Sequence, residues 1–204
     1  MGDVNAPLVT AADVERALMD AADPAEIGKI RKRVREDEPV FGVRMGALFE
    51  IAKTAADAAP GELDTLFEHA AYEPRMTAFC ILDFRARRRL SDEERAVYGS
   101  TYLGRHDAIT AWDMVDRAAP RVLGWPLMIG VLGDPRLLLE DLARSADPLR
   151  RRSAITAPLW FIKQGSAADI ELGTHIATML DDDPEPLVRS AVKTYRKHTV
   201  SSAR

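Results

Sequence analysis

The sequence predicts an all-α protein, a right-handed α-α superhelix in which antiparallel helix pairs stack as a repeat solenoid. Three observations carry that expectation. Helix-start signatures recur along the whole chain. Period-two apolar alternation is never sustained, and no Asn-Gly or Asp-Gly hairpin turn occurs. A proline-led segment returns at intervals near 37 residues.

The elements follow in order. Thr10 with Asp13 three residues on echoes a capping box and opens a helix over 10–22. Asp23-Pro24-Ala25-Glu26 is a fuller signature, with an N-cap, a proline at the first helical position and a glutamate at the third; it opens 24–36. Helices are expected at 43–58, 61–71 and 74–89. Ser91-Asp92-Glu93-Glu94 opens 92–103, followed by 108–119 and 120–131. Asp134-Pro135 and Asp147-Pro148 open 134–144 and 148–164; a helix follows at 167–180. Asp183-Pro184 starts the last one, shifted by Pro186 to 186–198. The connections are short, so consecutive helices should pack antiparallel.

Glu73-Pro74-Arg75-Met76-Thr77-Ala78 resembles Asp147-Pro148-Leu149-Arg150-Arg151-Arg152-Ser153-Ala154, which in turn resembles Glu185-Pro186-Leu187-Val188-Arg189-Ser190-Ala191. The missing member falls near 111, where Ala111-Trp112-Asp113-Met114-Val115-Asp116 begins a helix. A period of about 37 residues covers two helices and two turns, close to HEAT-type spacing. The chain is expected to form one HEAT-like domain over 1–204, with 1–9 a flexible N-terminus and 199–204 a frayed C-terminus. Helices starting near 74, 110, 148 and 186 become the equivalent inner helices lining the concave side.

The 204 residues suffice for one substantial core or about five helix pairs. With 47% apolar and 29% charged residues, the composition is that of a soluble globular protein. Cys80, the single cysteine, lies in the apolar run Ala78-Phe79-Cys80-Ile81-Leu82 and is expected as a small core residue in a reducing compartment. No apolar stretch reaches the roughly 20 residues of a membrane span, and the N-terminus has no basic-then-apolar signal pattern. A cytoplasmic location with no membrane partner is expected.

The net charge of −4 argues against nucleic-acid binding until its distribution is considered. Asp3, Asp13, Glu15, Asp20 and Asp23 face one base, Arg16, in residues 1–23, so the rest of the chain is neutral in sum. Bases cluster at Lys29, Arg31, Lys32, Arg33 and Arg35; at Arg85, Arg87, Arg88 and Arg89; at Arg150, Arg151 and Arg152; and at Arg189, Lys193, Arg196 and Lys197. The last four fall on one helix face, where like charges cost stability unless an anion compensates. Bases from several inner helices would form a trough suited to a phosphate backbone. Each cluster taken alone reads better as a solvated helix face.

Trp112 and Asp116 are four residues apart on one expected helix and so share a face. Spacing alone reads as a core tryptophan beside a surface carboxylate. The segment from Ile109 to Gly124, however, resembles the W-D-x-V-D helix of the AlkD-type DNA alkylation repair glycosylases. Phe41-Gly42-Val43-Arg44 resembles that family's early F/L-G-[IV] helix lead-in, Arg152-Ser153-Ala154-Ile155 its R-x-A-I inner helix, and Leu187 to His198 its last basic helix. The resemblance spans residues 25–200.

It implies excision of cationic alkylpurines, of the N3-methyladenine and N7-methylguanine type, from duplex DNA with no metal or organic cofactor; a capped solenoid can do so as a monomer, the state expected here. It makes Asp116 the carboxylate that stabilises an oxocarbenium-like sugar and positions a water, and Trp112 a π face against the sugar. Arg152 would hold a flanking phosphate, with Arg151, Arg189, Lys193, Arg196 and Lys197 as further DNA contacts. Two departures stand out. The position of a second cleft tryptophan is Thr194, next to Tyr195, and an aromatic expected near Arg33 or Val34 is absent. The alternatives are a non-catalytic DNA-binding paralogue for damaged or branched DNA, and a protein-binding helical scaffold.

Other residues offer less. His69, His106, His175 and His198 lack metal-ligand spacing, and no glycine-rich phosphate loop is present. Trp125 and Trp160 sit among apolar neighbours and read as core. Asp181-Asp182-Asp183 reads as a loop and helix cap.

Overall fold

A computed structural model describes residues 8–202. These residues are helical; among them no β-strand forms, and one isolated antiparallel bridge joins Ala22 to Val43. The all-α repeat class expected from the sequence is the class observed. The expected flexible N-terminus lies largely outside the described residues. Of the expected frayed C-terminus, residues 199–202 continue the last helix, and the remainder lies outside the description.

The chain divides into two compact units, Met1–Arg88 with Asp107–Met114, and Arg89–His106 with Val115–Arg204. In the first unit, α1 (Ala11–Asp20), α2 (Pro24–Ile30), α3 (Met45–Thr54) and α4 (Pro60–Phe67) precede α5 (Tyr72–Ala86). Thr10 and Asp13 form the capping box expected of α1, and the Asp23 carboxylate accepts from the Ala25 amide at the start of α2. Helix α5 is buried nearly all round, and α1, α3 and α4 pack against it, so it forms the unit's core.

Two expected helices end early because long side chains take over their last carbonyls. Arg31 donates to the carbonyls of Glu36 and Glu38 at 3.0 and 2.5 Å, closing the turn after α2. Arg85, buried in α5, donates to the Ala56 carbonyl at 2.8 Å and to that of Ala58, beyond the end of α3.

In the second unit, α6 (Asp92–Gly104) carries the expected Ser91–Glu94 capping box. Helix α7 (Trp112–Ala118) follows a short 3-10 turn, His106–Ala108; its residues through Met114 belong to the first unit. The two helices expected over 108–119 and 120–131 are not formed as such. The chain passes from α7 into a π-helical segment, Ala119–Gly124, and then α8 (Trp125–Met128). Pro120 has no N–H for the Asp116 carbonyl four residues back, and Pro126 repeats the deficit one turn later, so the ladder widens.

Next come α9 (Pro135–Ala143), α10 (Pro148–Thr156), α11 (Leu159–Gln164), α12 (Ala167–Met179) and α13 (Pro186–Ser202). The single helix expected over 148–164 is broken at Pro158 for the same reason. Asp134 and Asp147 cap α9 and α10 as their sequence signatures require. Helix α10 packs between α9 and α13, and this places the functional residues described next.

Candidate active site

Asp116 lies in the last turn of α7 with its side chain 38% exposed. Arg152, in the middle of α10 and only 7% exposed, reaches it with two parallel hydrogen bonds. Nε donates to Oδ1 at 2.9 Å and Nη2 donates to Oδ2 at 2.7 Å. Nη1 donates to the carbonyl of Leu187 in the first turn of α13. One buried guanidinium thus ties three elements together and fixes the carboxylate by a planar fork, a geometry only arginine supplies.

The outward side of this pair faces a cavity of about 110 Å³ lined by Asp116, Arg152, Thr156, Leu159, Ala191 and Thr194. Thr194 occupies the position where the resemblance places a second tryptophan. It is exposed, and its hydroxyl donates to the Ser190 carbonyl at 3.0 Å. Trp112, four residues before Asp116 on α7, is 41% exposed, so the reading of it as a core residue does not hold.

Arg152 does not present its guanidinium to solvent in the way a phosphate contact requires. Its donors are directed to Asp116 and Leu187 instead. Arg151 is similarly engaged, donating to Asp183 at 2.7 and 3.1 Å and to the Ser145 and Ala146 carbonyls. Burial works to raise the Asp183 carboxyl, but the Arg151 hydrogen bonds and an amide from Glu185 leave it below the usual value. The acidic run 181–183 is thus a loop, in which Asp183 accepts from the Glu185 amide just ahead of α13. Arg189 donates to the carbonyls of Asp183 and Pro184, and Arg196 pairs with Asp181. Lys193 and Lys197 stand exposed, four residues apart on α13.

Around the buried face of α10, Ser153 accepts two groups. Its hydroxyl donates to the Leu149 carbonyl at 3.0 Å, which leaves Tyr102 and His106 Nε2 as donors to it at 2.8 and 2.9 Å. Asp147 lies 3.7 Å from His106 Nδ1. Asp147, His106 and Ser153 thus line up like a hydrolase triad, but Ser153 is 0% exposed and its proton is committed. The arrangement is a packing network with no access for a substrate.

Trp125 and Trp160 are not enclosed by aliphatic side chains as expected. They stack at 4.8 Å, with Arg95 3.3 Å over Trp125 and Arg121 5.1 Å over Trp160. Cys80 is buried as expected. Among the described residues, no three of His, Cys, Asp and Glu gather as a cation site would need, and no helix is long and apolar enough to cross a membrane.

In the first unit the position near Arg33, where the resemblance expects an aromatic, holds the arginine itself. Its guanidinium lies 5.6 Å over Tyr72 and 2.8 Å from Asp113, which also accepts the Tyr72 hydroxyl at 2.7 Å. The Phe41–Arg44 motif has a concrete function. Its amides at Phe41, Gly42 and Val43 donate to the buried Glu73 carboxylate at 2.9, 2.8 and 3.3 Å. Gly42 has φ of +91°, and a Cβ there would meet the Asp23 carbonyl oxygen at 2.7 Å, so glycine is required. Sequence reasoning missed the bonding roles of Glu73 and Asp113. Glu73 leads the first copy of the repeat, and that position was the one available signal.

The fold and the solvent-open, arginine-clamped carboxylate define the class: an all-α helical repeat protein with an exposed acidic site. The chain belongs to the family described as DNA alkylation repair enzyme, whose profile matches residues 14–195. No curated protein and no solved structure matches it.

Proposed function

We propose that the protein is a DNA glycosylase that releases cationic N3- or N7-alkylated purines from duplex DNA, acting as a monomer in the cytoplasm without metal or organic cofactor. The observation that carries this reading is the Asp116 carboxylate, open to solvent yet locked by the Arg152 fork. An alkylated purine already bears positive charge and departs as a neutral base, so the enzyme's task is to stabilise the sugar cation left behind. A fixed carboxylate supplies that stabilisation without reorganising at the moment of bond cleavage. Trp112 would offer its indole face to the same developing charge.

The phosphate-binding role moves, in this reading, from Arg152 and Arg151 toward α13. Lys193 and Lys197 supply solvent-facing cations, and Arg189 and Arg196 lie on the same helix. Arg152 becomes the residue that orients the catalytic carboxylate.

A base-release assay on methylated duplex DNA tests the proposal. Asp116→Asn should reduce N7-methylguanine release at least about a hundredfold while leaving DNA affinity within about twofold. Release at the wild-type rate by the asparagine variant would overturn the reading. Thr194 and Arg33, each at a position where the resemblance expects an aromatic, favour a second reading: a DNA-binding paralogue without excision. That reading predicts salt-dependent binding with no base released by the wild-type protein.

A further inference from the structure

The first turn of α7 is held to the rest of its unit by a polar network that the carboxylate clamp does not use. Trp112 opens this helix and stands between two members of the network, Thr110 and Asp113. On the Asp113 side, one carboxylate oxygen accepts the Tyr72 hydroxyl at 2.7 Å, and Arg33 Nε lies 2.8 Å from the same oxygen. Burial keeps the Tyr72 proton in place, so its hydroxyl is a donor. On the other side, the Thr110 hydroxyl donates to Glu38 Oε1 at 2.7 Å, and Arg75 pairs with that same oxygen. All of these side chains belong to the first unit. Such a network is a poor source of stability by itself. Glu38 is buried, and the Asp113 and Arg75 side chains are only 11% and 12% exposed. Taking those charges out of water offsets much of what their pairing returns. What a polar network does supply is one orientation. Helix α7 needs that, because its seven residues are too few for a helix to persist alone, and its surroundings must set its direction. Ala111 and Met114 are buried, while Trp112, between them, is 41% exposed, so packing holds its ring less firmly than a core position would.

We propose that Asp113 is a positioning residue: held by Tyr72 and Arg33, it fixes the first turn of α7 and, through it, the direction of the Trp112 indole. The proposal rests on the glycosylase reading above, in which that indole faces the charge developing on the sugar. A ring attracts a cation through its face and not its edge, so the attraction depends on where the ring plane lies. A first turn free to rotate would lose it for part of the time. Glu38 and Arg75, by holding Thr110, limit the same rotation from the other side of Trp112. Asp113 acts on the reaction through Trp112 alone and touches none of the reacting atoms.

Two measurements on Tyr72→Phe and Asp113→Asn test this, both substitutions being close to isosteric. The first is fluorine NMR of the full chain labelled with 5-fluorotryptophan. The chain has three tryptophans, and the Trp112 signal is the one missing from Trp112→Ala. Both variants should shift or broaden that signal. The signals of Trp125 and Trp160, stacked together in the second unit, should stay in place and so report that the fold is intact. The second is single-turnover base release with DNA affinity measured alongside. Each variant should slow release roughly tenfold to a hundredfold while affinity stays within about twofold. In a Trp112→Ala background the same substitutions should cost less than about twofold more, because the group they act through is gone. A merely structural role would instead slow release equally in both backgrounds, and that result overturns the proposal. A Trp112 signal unchanged in both variants overturns it whether or not base is released, and while the wild type releases base the glycosylase reading survives. A wild-type protein that releases no base removes the glycosylase reading, and the positioning role falls with it even if the Trp112 signal moves.

Discussion

At the scale of single residues, the clamp on Asp116 decides what the site can do. Arg152 makes two hydrogen bonds to the carboxylate and a third to the Leu187 carbonyl, so it fixes the carboxylate that the proposed reading makes catalytic and satisfies a backbone acceptor at once. Lysine retains the charge but has no planar fork and cannot serve both partners. Arg152→Lys should therefore slow single-turnover base release roughly tenfold to a hundredfold, since small misplacements of a catalytic group have effects of that size. It should also lower stability by about 2 kcal/mol, because the Leu187 carbonyl loses its donor. Equal release by the lysine variant, measured with thermal unfolding in parallel, would show that the fork is dispensable. The sequence made Asp116, Trp112 and Arg152 legible because they carry the motif of a recognisable helix. It gave no sign that Arg152 bonds Asp116, because the two lie 36 residues apart and spacing does not reveal pairing at that range. Glu73 escaped for the same reason: a carboxylate bonded to amides about 30 residues off has no local signature.

At the scale of elements, cap chemistry is legible in the sequence and helix length is not. Thr10, Asp23, Ser91, Asp134 and Asp147 cap where their side chains say they should. Apolar periodicity, by contrast, runs through Pro120, Pro126 and Pro158, and the backbone cannot follow it there. The π-helical turn that results begins directly after the helix bearing Asp116. Helix α13 shows what a basic face amounts to once partners are known. Of the four bases expected on it, Arg189 and Arg196 are directed to the 181–184 loop, while Lys193 and Lys197 extend into solvent. If these lysines bind phosphates, replacing both with alanine should weaken binding to methylated and unmethylated duplexes alike. The slope of log affinity against log salt should fall by about 2, close to one for each phosphate no longer neutralised. An unchanged slope in fluorescence-anisotropy titrations would place the DNA on another surface.

At the scale of the whole molecule, net charge says little, because many of the arginines are engaged within their own unit, as Arg33, Arg85, Arg151 and Arg152 are. Buried phenols say more about stability: Tyr72 lies in the first unit, and Tyr102 and Tyr195 lie in the second. Tyr72 in the first unit is fully buried, and burial pushes its hydroxyl well above the ordinary value; the Asp113 charge and hydrogen bond push the same way, with Arg33 opposing. Tyr102 in the second unit is pushed up by burial, partly offset by its hydrogen bond with Ser153. Both groups hold their protons in the folded protein at a pH where the unfolded chain, titrating near 10, releases them. Their contribution is thus fully present below about pH 10 and is lost as pH rises from there toward the folded-state values, at about 1.4 kcal/mol per pH unit for each tyrosine. Circular-dichroism melts should show the melting temperature falling steeply above about pH 10. Tyr72→Phe and Tyr102→Phe should each make that decline shallower, since phenylalanine has no proton to lose, even though each also removes a hydrogen bond at neutral pH. Because the two residues lie in different units, the double variant should flatten the alkaline limb further than either single change. An alkaline limb of unaltered steepness in both single variants would assign the loss to other groups, among them Tyr195, whose hydroxyl burial also pushes up.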